Sequence, residues 1–200
     1  MGSYEKRFRI WETATLLALC LALCAGVWAQ GQQNAISGNL VRLHVLAASD
    51  EPAEQALKLR VRDAVLDYLR PVLAEVSDAE AACERLSGDL GGIARAAAEA
   101  AEGRQVRVSL GRESYPTRVY EGFTLPAGRY TSLRIVLGEG AGHNWWCVVF
   151  PPLCLDAAGG EPMQSAMSGE SLALVTEPEV YALRFRAVEL WGELTELLEK

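Results

Sequence analysis

The amino-acid sequence predicts an α+β fold, a single domain in which two N-terminal helices lie on one face of a largely antiparallel sheet. Three observations support this class. A short alternating strand at 41–45 is followed by a region in which apolar residues recur three and four positions apart, typical of helices. After Gln105 the period changes to two, typical of strands. Half of the residues are hydrophobic, which is enough for a core and excludes disorder throughout.

The first 29 residues have the order of parts of a secretory signal peptide. Basic residues at 5–9 precede an uncharged stretch at 13–29 that ends Val27-Trp28-Ala29, so we expect a cut after Ala29. An uncleaved N-terminal anchor is one alternative, because the stretch is long for a signal and short for a membrane span. A lipoprotein is the other, but Leu19 and Leu23 precede Cys20 and Cys24 where a small residue is needed. All three interpretations place residues 40–200 outside the cytoplasm.

The first helix of the exported part should follow a linker and one strand. Residues 30–39 are polar and contain glycine, which is typical of a linker. After the strand, Ser49-Asp50-Glu51-Pro52 has the short acceptors, the acidic charge and the proline of a helix start. This helix should run to about Arg70, where Pro71 stops or kinks it.

A second helix is predicted from the capping box that Ser77 and Glu80 form in sequence, and it should end near Gly103. The pair Gly91-Gly92 should bend or split it. Cys83 falls on its apolar stripe, so we expect a buried, unpaired thiol.

Four strands and a turn complete the predicted domain, which we bound at residues 40–155. The turn is Leu125–Gly128, and Pro151-Pro152 ends the last strand because proline cannot donate to a ladder. The predicted strands are Val106–Leu110, Thr117–Tyr120, Tyr130–Leu137 and Trp145–Phe150. We interpret 156–176 as a second linker and 177–200 as a C-terminal amphipathic helix, whose acidic polar side disfavours an anionic membrane as its partner.

Charge and composition exclude several classes of function. The formal net charge is −7 and no long basic cluster occurs, so nucleic acid is not expected as a partner. The two histidines, His44 and His143, are far apart in sequence, and no metal, cofactor or small-molecule signature is present.

The segment from Gly138 to Cys154 is where chemistry is most expected. One interpretation makes Cys147 or Cys154 a nucleophile with His143 as its base. We favour a structural disulfide between the two cysteines, because a thiol in an apolar strand reacts poorly and the Pro-Pro reversal brings them towards bridging distance.

The adjacent tryptophans of this segment, Trp145 and Trp146, should point to opposite faces of the sheet. One ring should belong to the core, and the other should be exposed as an interface anchor. His143 and Asn144 add polar groups beside the rings, and the preceding glycines allow close approach of another chain. We therefore expect partner-binding residues at 143–146.

Two parts of the sequence resemble the stage II sporulation protein R family. The first is Arg42-Leu-His-Val-Leu-Ala-Ala-Ser-Asp50 with the helix sequence at 55–65, and the second is Gly142-His-Asn-Trp-Trp-Cys-Val-Val-Phe-Pro-Pro-Leu-Cys154. The motif Leu125-Pro-Ala-Gly-x-Tyr130 also fits. The resemblance covers about residues 40–155, and the chain departs from the pattern at His44 and Ala48.

This resemblance implies a signalling protein and not an enzyme. Such a protein is exported across the forespore membrane into the intermembrane space, where it activates a membrane-embedded aspartic protease of the mother cell that processes pro-sigma-E. No cofactor is implied. The alternatives are a thiol-dependent envelope hydrolase that uses Cys147 or Cys154 with His143, and a structural domain of the envelope.

Overall fold

The computed structural model describes residues 2–120 and 123–152 of the chain. The helices are α1 (Gly2–Gly38), α2 (Pro52–Leu73), α3 (Ala79–Gly88) and α4 (Leu90–Ala100). The strands are β1 (Val41–Leu46), β2 (Val106–Tyr115), β3 (Arg118–Tyr120), β4 (Phe123–Leu125), β5 (Gly128–Leu137) and β6 (Asn144–Phe150). Helices and sheet occur together, as predicted. The predicted linker at 156–176 and helix at 177–200 lie outside the described residues.

The main sheet has four strands in the order β2-β5-β1-β6. The outer pairs, β2 with β5 and β1 with β6, are antiparallel, whereas the central pair of β1 and β5 is parallel. The prediction of a largely antiparallel sheet is therefore confirmed. The parallel pair arises because three helices connect β1 to the rest of the sheet, and a long crossover allows parallel pairing.

Three helices, where two were predicted, cover one face of this sheet, which we call the helical face. Here α2, α3 and α4 bury apolar side chains against β1 and β5, including Leu43 and Ile135. The predicted second helix is divided at Asp89, just before the two glycines. The Tyr68 hydroxyl of α2 donates to Asp89 (2.7 Å), and a Cβ at Gly92 would lie 2.1 Å from that hydroxyl. Close approach of α4 to α2 thus explains both the break and the glycine.

The opposite face, which we call the second face, has a smaller core covered by the end of α1 and the β3–β4 hairpin. This core buries six residues: Ile36, Leu40, Tyr115, Leu125, Tyr130 and Val148. The expectation of a linker at 30–39 is therefore corrected, because helix α1 continues to Gly38 and buries Gln33 and Ile36. The Gln33 side chain donates to the Arg129 carbonyl of β5 (3.3 Å). Contacts with the sheet therefore keep residues 30–38 helical, although their polar, glycine-containing composition is typical of a linker.

Three local predictions on the helices and strands also need correction. Helix α2 continues through Pro71 to Leu73, because the buried Leu73 side chain adds apolar contacts that offset the lost backbone hydrogen bond. The cap of α3 is Asp78, whose carboxylate accepts from the Ala81 amide (2.9 Å). Strand β4 was not predicted; it ends at Leu125, where the predicted turn begins, pairs with β3 and packs the buried Leu125 into the second core.

One helix of the described residues, over Arg7–Gly38, is long and apolar enough to cross a membrane. It lies near the N-terminus, where a signal sequence has the same length and composition. Residues 7–38 thus fit both the predicted signal and the predicted anchor.

Candidate functional site

The predicted partner-binding residues lie at the start of β6, on the sheet edge next to β1. Trp145 is paired in register with Val45, and Trp146 with His44. The loop before β6, residues 138–143, folds back over the end of β1 and the start of α2. The site therefore combines the two parts of the sequence that carried the family resemblance.

Five contacts hold the loop 138–143 against residues 47–58. The amides of Ala141 and Gly142 donate to the carbonyls of Ala48 (3.2 Å) and Ala47 (3.0 Å). The His143 amide donates to Asp50 Oδ1 (2.6 Å), and the His143 ring contacts the same carboxylate through Nδ1. Lys58 Nζ donates to the His143 carbonyl (2.9 Å). Backbone and ring of His143 are thus both fixed from the α2 side.

The glycines of this loop serve its contact with its own chain. A Cβ at Gly142 would lie 2.2 Å from the Ser49 carbonyl oxygen, which is backbone that cannot move aside cheaply. Gly140 has a φ of +68°, in the left-handed region that favours glycine. We had attributed the glycines to close approach by another chain. The structure gives Gly142 an intramolecular reason instead.

The two tryptophans point to opposite faces, as strand alternation requires. Trp145 packs against the helical core, and the guanidinium of Arg62 lies 4.8 Å from its ring centroid. Trp146 packs on the second core, with its ring 5.6 Å from that of His44 and 3.9 Å from the guanidinium carbon of Arg118. Both rings are half-buried, where we had expected one in the core and one exposed. Each ring is thus partly covered by the core on its own face of the sheet and partly open to solvent.

A polar cluster beside Trp146 was not found from the sequence. His44 Nδ1 lies 3.2 Å from Glu113 Oε2, and His44 Nε2 lies 3.0 Å from Asn144 Oδ1. The other oxygen of Glu113 lies 3.4 Å from Arg134 Nε. Register places Arg134, His44 and Trp146 side by side on β5, β1 and β6. In the sequence, each of the three residues stands at an alternate position of a strand, which was the signal that could have found them. Their neighbourhood depends on the order of the strands in the sheet, which the sequence did not predict.

A buried arginine, Arg42, lies on β1 two residues before His44. Arg42 is fully buried, donates to the Tyr120 hydroxyl (2.6 Å) and has its guanidinium carbon 3.9 Å from the ring centroid of Tyr115 and 5.1 Å from that of Tyr130. Burial away from water raises the pKa of Tyr115 and of Tyr130 well above the usual range. The hairpin and the sheet are therefore joined by cation–π and hydrogen-bond contacts below the site.

The cysteines are only partly placed by the structure. Cys83 is free and half-buried, and desolvation raises the pKa of its thiol. Cys147 is paired in register with Leu43, so it shares the helical face. Cys154 lies outside the described residues, and the disulfide between them stays a prediction. In the alternative that makes His143 a base for Cys147, Asp50 contacts the Nδ1 side of the ring, whereas Cys147 lies four residues further along β6 on the helical face.

A cavity of about 470 Å³ opens between the loop and the hairpin. Its lining includes three of the four predicted partner-binding residues. The lining residues are Asp50, Arg118, Ala141, Gly142, His143, Asn144 and Trp146. A second cavity of about 510 Å³, between the end of α2 and α3, contains none of the predicted site residues. Among the described residues, no group of three or more His, Cys, Asp or Glu side chains is arranged to hold a metal ion.

Comparison with known proteins places the site within a matched region. Residues 37–159 match the sequence family described as stage II sporulation protein R. A curated stage II sporulation protein R from Bacillus subtilis (strain 168) is 35% identical over 153 residues, which is 74% of this chain and 68% of that protein. No solved structure matches the chain. The match to the family includes both segments that form the site, residues 41–58 and 138–150.

Proposed function

The chain belongs to the stage II sporulation protein R family, and from this premise we propose that it is an exported signal of endospore formation. The family supports a role in sporulation. In the proposed role, the protein crosses the forespore membrane into the intermembrane space. There it activates a membrane-embedded aspartic protease of the mother cell, which processes pro-sigma-E.

The observation that carries this proposal is that contacts within the chain hold residues 143–146 in one conformation. Asp50 and Lys58 hold His143, and β1 pairs with the two tryptophans, so little side-chain and loop ordering remains when a partner binds. Preorganisation of this kind raises affinity because the ordering cost of binding is lowered. An aromatic ring beside polar groups is also the mixture enriched in interface cores.

One further feature supports the proposed compartment, and one prediction goes with it. The apolar helix over Arg7–Gly38 is suited to an export signal or a membrane anchor. In the intermembrane space a disulfide between Cys147 and Cys154 would close the chain around the Pro-Pro turn and stabilise the end of β6.

The test is pro-sigma-E processing in cells that produce the full chain together with the candidate protease. We expect Trp146→Ala to lose activation, with binding weakened by about 2 kcal/mol or roughly 30-fold, and thermal unfolding must show that it still folds, because its half-buried ring packs on the second core. Trp145→Ala should instead destabilise the fold by about 2–3 kcal/mol, since its half-buried ring packs on the helical core.

Leu59→Ala is the control, because Leu59 is an exposed apolar residue of α2 that belongs neither to the predicted contact nor to the core. It should process pro-sigma-E normally and unfold like the unaltered chain. If Trp145→Ala and Trp146→Ala both fold and activate normally, the contact does not lie at residues 143–146. Residues 177–200 are then the next segment to test.

A further inference from the structure

We propose that the cavity beside Arg118 and Trp146 binds a carboxylate-bearing segment of the partner protein, with the guanidinium of Arg118 as its anchor. This inference rests on the proposed function, because it names the chemistry that the activated partner must present. It assigns a binding role to Arg118, which lies outside the residues predicted at 143–146.

Arg118 differs from Arg134 and Arg62, the other two arginines near the tryptophans of β6, in having no carboxylate partner among the described residues. Arg134 has Glu113 at 3.4 Å, and on the helical face Arg62 has Asp63 at 2.6 Å. No ion pair involves Arg118 in the described part of the chain, and its Nε is inaccessible to solvent without a hydrogen-bond partner. Because that nitrogen is closed to solvent, a ligand can reach only the part of the guanidinium that lines the cavity, where the half-buried Arg118 takes no carboxylate from the described residues.

The position of Arg118 on the indole suits carboxylate recognition. Its guanidinium carbon lies 3.9 Å from the ring centroid of Trp146, which restrains the side chain and leaves the guanidinium edges for hydrogen bonds. A planar guanidinium binds a carboxylate through two parallel hydrogen bonds, a geometry that lysine cannot reproduce. The stacked arginine is therefore preorganised for this ligand.

Two described carboxylates, Asp50 of the cavity lining and Glu113 of the polar cluster, contact other groups. Asp50, which lines the same cavity, contacts both the amide and the ring of His143. Glu113 contacts His44 and Arg134. Arg118 is thus the charge of this cavity that the described residues leave uncompensated.

The size and lining of the cavity suit part of a polypeptide segment as the occupant. A volume of about 470 Å³ falls within the range of sites for small ligands and short peptide segments. The exposed amide of Asn144 at its edge adds a hydrogen-bonding group. Because the chain carries a net charge of −7, its surface as a whole repels an acidic segment, so binding here depends on the local positive charge of Arg118.

The first experiment measures binding of a fluorescent peptide of alternating glutamate and glycine to the full chain in detergent micelles. The matched variants are Arg118→Gln and Arg62→Gln, each of which removes an arginine stacked on a tryptophan of β6. We expect Arg118→Gln to weaken binding by about tenfold or more and Arg62→Gln to change it by less than about twofold. The same peptide with glutamine in place of glutamate should bind at least about tenfold more weakly.

Equal effects of the two variants, equal binding of both peptides, or no binding of the glutamate peptide would overturn the proposal. Vesicles containing phosphatidylglycerol provide the arm for anionic lipid. If Arg118→Gln lowers vesicle binding while leaving peptide binding unchanged, the site recognises a membrane surface and the proposal is wrong. Circular dichroism checks that both variants are folded.

The processing assay separates this inference from the proposed function. If Arg118→Gln binds the glutamate peptide weakly but still activates the protease fully, the partner does not use this cavity and the inference fails, while the proposed function stands. If the glutamate peptide binds through Arg118 but the unaltered chain activates no protease, the proposed function fails and the carboxylate site stands.

Discussion

Replacing Gly142 with alanine should detach the loop 138–143 from the end of β1. A Cβ at this position would lie 2.2 Å from the oxygen and 2.5 Å from the carbon of the Ser49 carbonyl, and 3.0 Å from Ala47 Cβ. Two of these atoms are backbone, so the loop must move outward by about an ångström to reach ordinary van der Waals distance. The substitution therefore acts on the contact that fixes His143.

The expected cost follows from the hydrogen bonds that this movement breaks. The amides of Ala141, Gly142 and His143 donate across the junction over 2.6–3.2 Å. At about 1 kcal/mol net for each bond, their loss lowers the free energy of unfolding by about 2–3 kcal/mol. Gly111→Ala is the matched control, because a Cβ there meets nothing within 4 Å.

Hydrogen exchange read by mass spectrometry on the full chain reports the junction directly. In Gly142→Ala the peptide that contains residues 141–143 should exchange faster, and the thermal unfolding temperature should fall, whereas Gly111→Ala should change neither. Unchanged protection at residues 141–143, with an unchanged unfolding temperature, would show that the loop tolerates a side chain at 142. The close approach to Ser49 would then not explain this glycine.

Three other predictions concern pH, thiols and export. Tyr115 and Tyr130 have a raised pKa in the folded state, so they stay protonated above about pH 10 while the tyrosines of the unfolded chain ionise. The free energy of unfolding should therefore fall above that pH by about 1.4 kcal/mol per pH unit for each tyrosine. Phenolate absorbance that shows both tyrosines ionising near about pH 10 in the folded chain would contradict this. The double replacement Cys147→Ser with Cys154→Ser should lower stability by about 2–3 kcal/mol and leave some signalling, whereas complete loss of activity in a well-folded variant would favour the hydrolase. A chain without residues 1–29 should stay in the cytoplasm of the producing cell and fail to signal, and full activity there would refute the assignment of an export signal.

The fold was predictable where local pattern and packing agree. Alternation at Val41–Val45 and the proline at the start of α2 both appear in the structure as β1 and Pro52. The pattern failed where tertiary contact overrides local preference: α1 continues through residues 30–38 because Ile36 is buried on the sheet, and α2 continues past Pro71 because Leu73 is buried. Neither contact can be inferred without knowing what lies opposite.

The site was predictable in position but not in its connections. Asp50 was assigned to a helix start from local chemistry, yet its carboxylate contacts His143, 93 positions away. Arg118 lies in a strand that was predicted, but its stacking on Trp146 depends on how the β3–β4 hairpin lies on the second face. Long-range pairing of this kind follows from strand order, which the periodicity of a single sequence does not supply.

Helix α1 joins the predicted signal segment and the domain in one continuous helix. A cut after Ala29 would leave a remnant of about nine residues ending at Gly38, which is too short to stay helical alone in water. That remnant would persist only because Gln33 and Ile36 are held by the sheet and the second core. Before cleavage, residues 30–38 continue a long helix. After cleavage, they would stay helical only while the sheet and the second core remain folded, so their helicity would measure the folding of the domain.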